Sequence, residues 1–120
     1  MRFWTLFALA LARILGRGPT VYVSVSGKKV EVVPVRRLIP PWAWAQTWGE
    51  VILVREDKVN SEGLYWLLPH EVVHLRQWRR WGFWFPFVYA WGSLKAALQG
   101  KHYYWDNPFE VEAYRARRKD

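Results

Sequence analysis

The stretch "LLPHEVVHLRQW", residues 67–78, places two histidines four positions apart with a glutamate directly after the first. On a helix, residues at i and i+4 lie one above the other on one face, so His70 and His74 can aim their imidazoles at a common centre. Glu71 sits one position on, rotated by about 100° around the axis. It therefore stands beside such a centre and not on it. That is where a general base must be to take a proton from a water that zinc has acidified toward a pKa of about 7. Zinc accepts two imidazole nitrogens at about 2.0–2.1 Å and wants a tetrahedral set. The chain has no cysteine, so the remaining protein ligand must be His, Asp or Glu.

A metzincin arrangement needs a histidine six residues beyond His74, and that position is Arg80. The remaining candidates for a third ligand are His102, Asp106, Glu110 and Glu112. His102 lies in "GKHYYWD", between two expected helices, where nothing fixes its direction. Glu110 and Glu112 share the last helix but, two apart, point to nearly opposite sides. Glu112 has Arg115 and Ala116 around it, which suggests an exposed side and a surface ion pair. Glu110 has Ala113 and Tyr114 on its side, and a small residue there lets two helices approach closely around an ion. Glu110 is the better ligand. The competing reading is a capping box, because Asn107-x-x-Glu110 also has that spacing.

"LLPHEVVHLRQW" followed by "NPFEVEAYR" resembles the gluzincin metallopeptidases, and most of all their minimal, minigluzincin-like forms. "TWGEVILVRE" is similar to the strand that precedes the zinc helix in that family. The resemblance spans roughly Thr47 to Arg117. It implies a zincin-like fold, one Zn2+ held by His70, His74 and Glu110, and Ala113 in the alanine position of the family's E-x-x-A pattern. It also implies that Val51 to Val54 form the rim of a cleft and hold an extended peptide by antiparallel pairing. The implied reaction is peptide hydrolysis with Glu71 as general base. A donor to the developing oxyanion is also required. Tyr103, Tyr104, Tyr114 and His102 are candidates; Tyr114 is taken with Glu71 as catalytic, although each tyrosine alone is more often a packing residue than a catalyst in a chain this aromatic. Gln77, three after His74, is placed to orient a ligand or the last helix.

These groups need a scaffold. "RFWTLFALALARIL" reads as a first helix ending at "GRGP". "TVYVSVSG" alternates as a half-buried strand, and "VEVVPV" returns as a second after a turn at Gly27. "RRLIPPWAWAQ" is a connection, and "TWGEVILVRED" the third and clearest strand, with "NSEG" as the loop behind it. Leu64 to Trp81 reads as one helix. Pro69 either opens that helix or kinks an upstream turn. Gly82 closes it, Pro86 opens a middle helix to about Leu98, and Asn107 with Pro108 starts the last. The expectation is an α+β domain over residues 1–120: an N-terminal helix and first strands up to residue 46, then rim strand, zinc helix, middle helix and glutamate helix. The sheet has three strands, or four.

A chain of 120 residues with 52% apolar residues and ten tryptophans has material for a single core and not for a disordered chain. The net charge of +8 is scattered and carries no nucleic-acid-binding signature, so no nucleic-acid partner is expected. The expected partner is a peptide or protein substrate, met by a monomer in the cytoplasm. The uncharged N-terminal run, residues 3–12, is short for a signal sequence and far too short to span a bilayer. It fits a buried or membrane-skimming helix, and "WGFWFPFVYAW" could also sit at an interface. Two rivals stand against the peptidase: a binding protein clamped by a structural metal, and a basic aromatic protein of membrane surfaces or nucleic acid.

Overall fold

The computed structural model describes residues 2–25, 27–59 and 62–118. Helix α1 (Arg2–Ile14) is followed by strands β1 (Val21–Val25), β2 (Lys28–Val35), β3 (Ala45–Trp48) and β4 (Val51–Arg55). The helical half comprises α2 (Glu56–Val59), α3 (Glu62–Trp81), a short turn of 3-10 helix at Gly82–Trp84, α4 (Phe85–Leu98) and α5 (Pro108–Arg118). The class is α+β, with a four-stranded sheet in the order β1-β2-β4-β3.

β1 and β2 form an antiparallel hairpin around Gly27, whose φ is 79°. β4 lies parallel to β2 on one side and antiparallel to β3 on the other. The apolar run Val51–Val54 is thereby paired along both edges and buried on both faces. Val51 and Leu53 face α1, packing with Ala8, Ala12 and Leu15. Ile52 and Val54 face α3, packing with Leu64, Leu68 and Leu75. A continuous apolar strand is what a sheet covered by helices on both faces requires.

Two expectations are corrected here. "TWGEVILVRED" is not one strand, because Gly49 and Glu50 fold it into a hairpin with Trp48 opposite Val51. Gly49 takes φ 61°, the positive value that primed hairpin turns demand at their first central position. Consequently Val51–Val54 cannot be a rim that receives a peptide; the edge strand on that side of the sheet is β3. Of the two alternatives for Pro69, the helix does not open there: α3 starts upstream at Glu62 and carries Pro69 inside it. The helix α2 has no counterpart in the sequence reading, and Asn60 and Ser61 of the expected loop lie outside the described residues. The remaining helices fall where their caps place them. Gly82, at φ 60°, follows the end of α3, and Asn107 caps α5 through its Oδ1, which accepts the Phe109 N–H at 2.9 Å.

Gly49 is also where α1 touches the hairpin. A Cβ there would stand 2.4 Å from Thr5 Oγ1 and 2.7 Å from Thr5 N. Thr5 Oγ1 in turn accepts the Glu50 N–H at 3.0 Å. Gly49→Ala adds backbone strain to a clash with helix backbone, so it should lower the unfolding free energy by about 2–4 kcal/mol, read as a shifted urea midpoint.

Candidate metal centre

α3 carries His70, Glu71 and His74 on the side turned toward α5 and β3, all three at least 93% buried. They form a His-Glu-His group that could hold a metal ion. Glu110 comes in from α5. Its Oε1 lies 3.1 Å from His70 Nε2 and 3.1 Å from His74 Nε2, and the two Nε2 atoms are themselves 3.1 Å apart. Three atoms bound to one ion at about 2.0–2.1 Å in tetrahedral directions stand about 3.3 Å apart. The observed triangle is close to that figure, so the donor set fits a small divalent cation. Glu71 Oε2, at 3.8 Å from His70 Nε2, stands to one side.

Each of these side chains is held by a named neighbour. His74 Nδ1 shares a hydrogen bond with Gln77 Oε1 at 2.8 Å, which turns Nε2 toward the centre. The Gln77 amide also donates to Phe109 O at 3.0 Å and to Glu112 Oε1 at 2.6 Å, tying α3 to α5. Glu110 Oε2 accepts the Tyr89 hydroxyl at 2.6 Å, from the inner side of α4. Glu71 Oε1 accepts the Thr47 hydroxyl at 2.9 Å, from β3. Trp78 donates its indole N–H to Thr47 O at 3.1 Å and so fixes β3 against α3. His70 is the exception. Its Nδ1 is buried without a hydrogen-bond partner, and the ring is held by packing against Tyr114, centroid to centroid 4.3 Å.

The electrostatics follow from these contacts. Burial disfavours a charged His74 ring, but the hydrogen bond to Glu110, the Glu71 charge and Gln77 outweigh it and raise its pKa to about 9. Burial pushes the Glu110 carboxyl up, yet hydrogen bonds from His70, His74 and Tyr89 hold it well below the usual carboxylate range. Burial, then the Glu110 charge, push the Tyr89 and Tyr104 hydroxyls far up, so both remain protonated donors. The centre attracts positive charge and has no fixed cation of its own.

Of the expected ligands, His70, His74 and Glu110 come together and the others do not. His102 is exposed, and its Nδ1 accepts the backbone N–H groups of Tyr104 and Trp105. Asp106 accepts the His102 N–H. Glu112 is exposed and turned to Gln77, away from the triangle. The capping box does not form, since the Asn107 N–H donates to Tyr104 O and the Glu110 carboxylate goes to the histidines. Thr47 and Tyr89 were not singled out from the sequence. Thr47 reads as a strand residue, and Tyr89 is one aromatic among many, with no spacing to mark it.

The triangle opens onto a cleft of about 1010 Å³. β3 with residues 40–44 makes one wall and the segment around residues 102–105 another. Trp42 of the first wall meets Tyr104 of the second, ring centroids 5.9 Å apart. The Tyr104 and Tyr114 hydroxyls are hydrogen-bonded at 2.8 Å, and both residues line the cleft. Among the described residues no Lys, Arg or Asp lines it. No protein-family model matches the chain, and neither curated proteins nor solved structures give a match to it.

Asn107 holds Glu110 at one remove. Fully buried, it caps α5 and donates through Nδ2 to Tyr89 O at 3.0 Å and Ser93 Oγ at 2.8 Å. Asn107→Ala loses the cap and leaves two part-buried acceptors without their donor. It should cost about 2–4 kcal/mol of stability, seen as a lower thermal midpoint, and more than an exposed cap would.

Proposed function

We propose that this chain is a zinc-dependent peptidase of the gluzincin type, with His70, His74 and Glu110 as the metal ligands. The observation that carries the reading is the triangle of Nε2, Nε2 and Oε1 atoms, each pair 3.1 Å apart, with a second carboxylate beside it and a cleft in front. The motif's resemblance to that family adds to it. What zinc supplies when bound is Lewis acidity, toward a water proton and toward a substrate carbonyl.

The chain's own residues perform the rest. Thr47 occupies Glu71 Oε1, which leaves Oε2 as the atom that takes the proton from the attacking water. As the water oxygen bonds to the scissile carbonyl carbon and the C–N bond breaks, Glu71 passes that proton to the departing amine. Tyr114, packed on His70 and paired with Tyr104, is the proposed donor to the developing oxyanion. Tyr89 is a positioning residue, because its hydroxyl is committed to Glu110.

The substrate backbone is offered the edge of β3. The Arg55 N–H donates to Trp44 O, so the antiparallel alternation turns Gln46 and Trp48 inward to β4 and leaves Ala45 and Thr47 facing out. Thr47 O already accepts Trp78, so Ala45 keeps both of its outward groups for an extended peptide.

Purified protein should contain about one zinc per chain by elemental analysis. His70→Ala and Glu110→Ala should lose it, while Glu71→Gln keeps the metal and loses about 10²–10⁴-fold in cleavage of a flexible peptide library. Metal content indifferent to His70→Ala sinks the proposal, and equal chelator-insensitive cleavage by wild type and Glu71→Gln leaves a metal clamp without catalysis. Tyr89→Phe removes only the hydroxyl on Glu110; zinc affinity in a chelator competition should fall by about 10–100-fold with the fold intact.

A further inference from the structure

The described helices include none long and apolar enough to cross a membrane, yet two of them leave apolar stripes uncovered. On α4 and the turn before it, Trp84, Phe87, Trp91, Leu94 and Leu98 recur at helical spacing, and all are 51–74% exposed. On α1, Phe3, Leu6, Phe7 and Ile14 are 41–73% exposed, while Ala8 and Ala12 on the opposite side are packed into the core. The two stripes are continuous. Phe3 meets Phe83 at 5.7 Å between centroids, and Phe83 meets Phe87 at 5.9 Å. The Trp4 indole N–H donates to Phe83 O at 2.8 Å and ties α1 to the turn. Soluble monomers seldom expose an apolar patch of this extent without a partner for it.

Charge says what the partner is. Residues 2–15 and 72–105 contain no Asp or Glu, while Arg2, Arg13, Lys95 and Lys101 lie exposed in them. A second copy docked on the same face would set the basic residues of these two segments against their like, with Glu50, whose N–H bonds Thr5, at the border of α1 and in neither segment. Nucleic acid would satisfy the charge, but the aliphatic side chains of Leu6, Ile14, Leu94 and Leu98 offer bases no stacking surface. Hydrocarbon accepts them, and the head groups accept indole edges and cations.

We propose that the α1–α4 face is a membrane-docking surface that seats the protein on the interface of an anionic lipid bilayer without spanning it. α4 then has two working sides. Its inner side carries Tyr89 to Glu110, and its outer side carries Trp91 to the lipid, so the cleft lies within one helix diameter of the membrane surface. The surface is argued independently of the metal reading and stands or falls without it.

The test is sedimentation of the full chain with vesicles of phosphatidylcholine alone and of phosphatidylcholine with phosphatidylglycerol. Partitioning onto the anionic vesicles should be at least about tenfold stronger, and part of it should survive about 0.5 M salt, because apolar burial is not screened. Trp91→Glu with Leu94→Glu should reduce it by about tenfold or more at unchanged circular dichroism, and so should Phe3→Ser with Leu6→Ser on the other helix. No sedimentation of wild type with either vesicle overturns the proposal. So does a dimer in sedimentation equilibrium that the glutamate pair makes monomeric, or binding to oligonucleotides alone.

Discussion

Two imidazole nitrogens and a carboxylate oxygen lie within 3.1 Å of one another on largely buried side chains at the floor of the cleft, and their lone pairs repel unless positive charge sits among them. A proton can supply some of it, which is why His74 holds its proton to about 9 although burial opposes the charge. A divalent cation supplies more, and it binds where ligands are already gathered and dehydrated. No cationic side chain of the protein competes for the place: among the described residues, no Lys or Arg lines the cleft. The scaffold is best understood as the apparatus that holds this triangle together.

That apparatus draws on four elements at once. α3 supplies two corners and α5 the third, and Gln77 bridges them by accepting from or donating to His74, Phe109 O and Glu112. α4 supplies Tyr89 and β3 supplies Thr47. Buried polar networks of this kind strengthen one another when every member is satisfied and cost dearly when one is lost. The unpartnered His70 Nδ1 is thus informative. At the corner without a hydrogen bond, orientation rests on the Tyr114 ring, so Tyr114 has a packing role in the site whatever its hydroxyl does.

The site was more legible in the sequence than the sheet was. His70, Glu71 and His74 are adjacent in one helical turn, and helical spacing alone puts them together. Glu110 was reachable because a small Ala113 and the capping alternative could be weighed against each other. The hairpin was lost because Gly49 sits in a run of strand-forming residues, where a two-residue turn leaves only a glycine as its mark. With the turn went the identity of the edge strand, and the buried Val51–Val54 stood in for Ala45–Trp48. At Pro69 local reading leaves two alternatives, and burial on both sides, at Leu64 and Leu68 before and Val73 and Leu75 after, selects the helix with an upstream turn. Tertiary packing overrides a missing backbone hydrogen bond there. Thr47 and Tyr89 carry no spacing signal, since each reaches its partner only through the fold.

α4 shows why composition by itself misleads in so aromatic a chain. A helix apolar on all sides belongs in a core or in a bilayer, and α4 is apolar nearly all round while lying in neither. Its inner side explains itself: Phe85, Gly92 and Ala96 are buried, and Gly92 lets Pro108 and Asn107 approach to within 3.4 Å of where a Cβ would stand. No such explanation covers the outer side. The ring contacts of Trp84 and Phe87 are with each other and with Phe83, Trp91 is exposed beside them, and a core purpose would have buried all three. Stability selects for the inner stripe, whereas the outer stripe works against solubility, so it requires a surface that receives it. α1 and α4 themselves carry basic and no acidic residues, which supports the proposed docking on a surface of opposite charge.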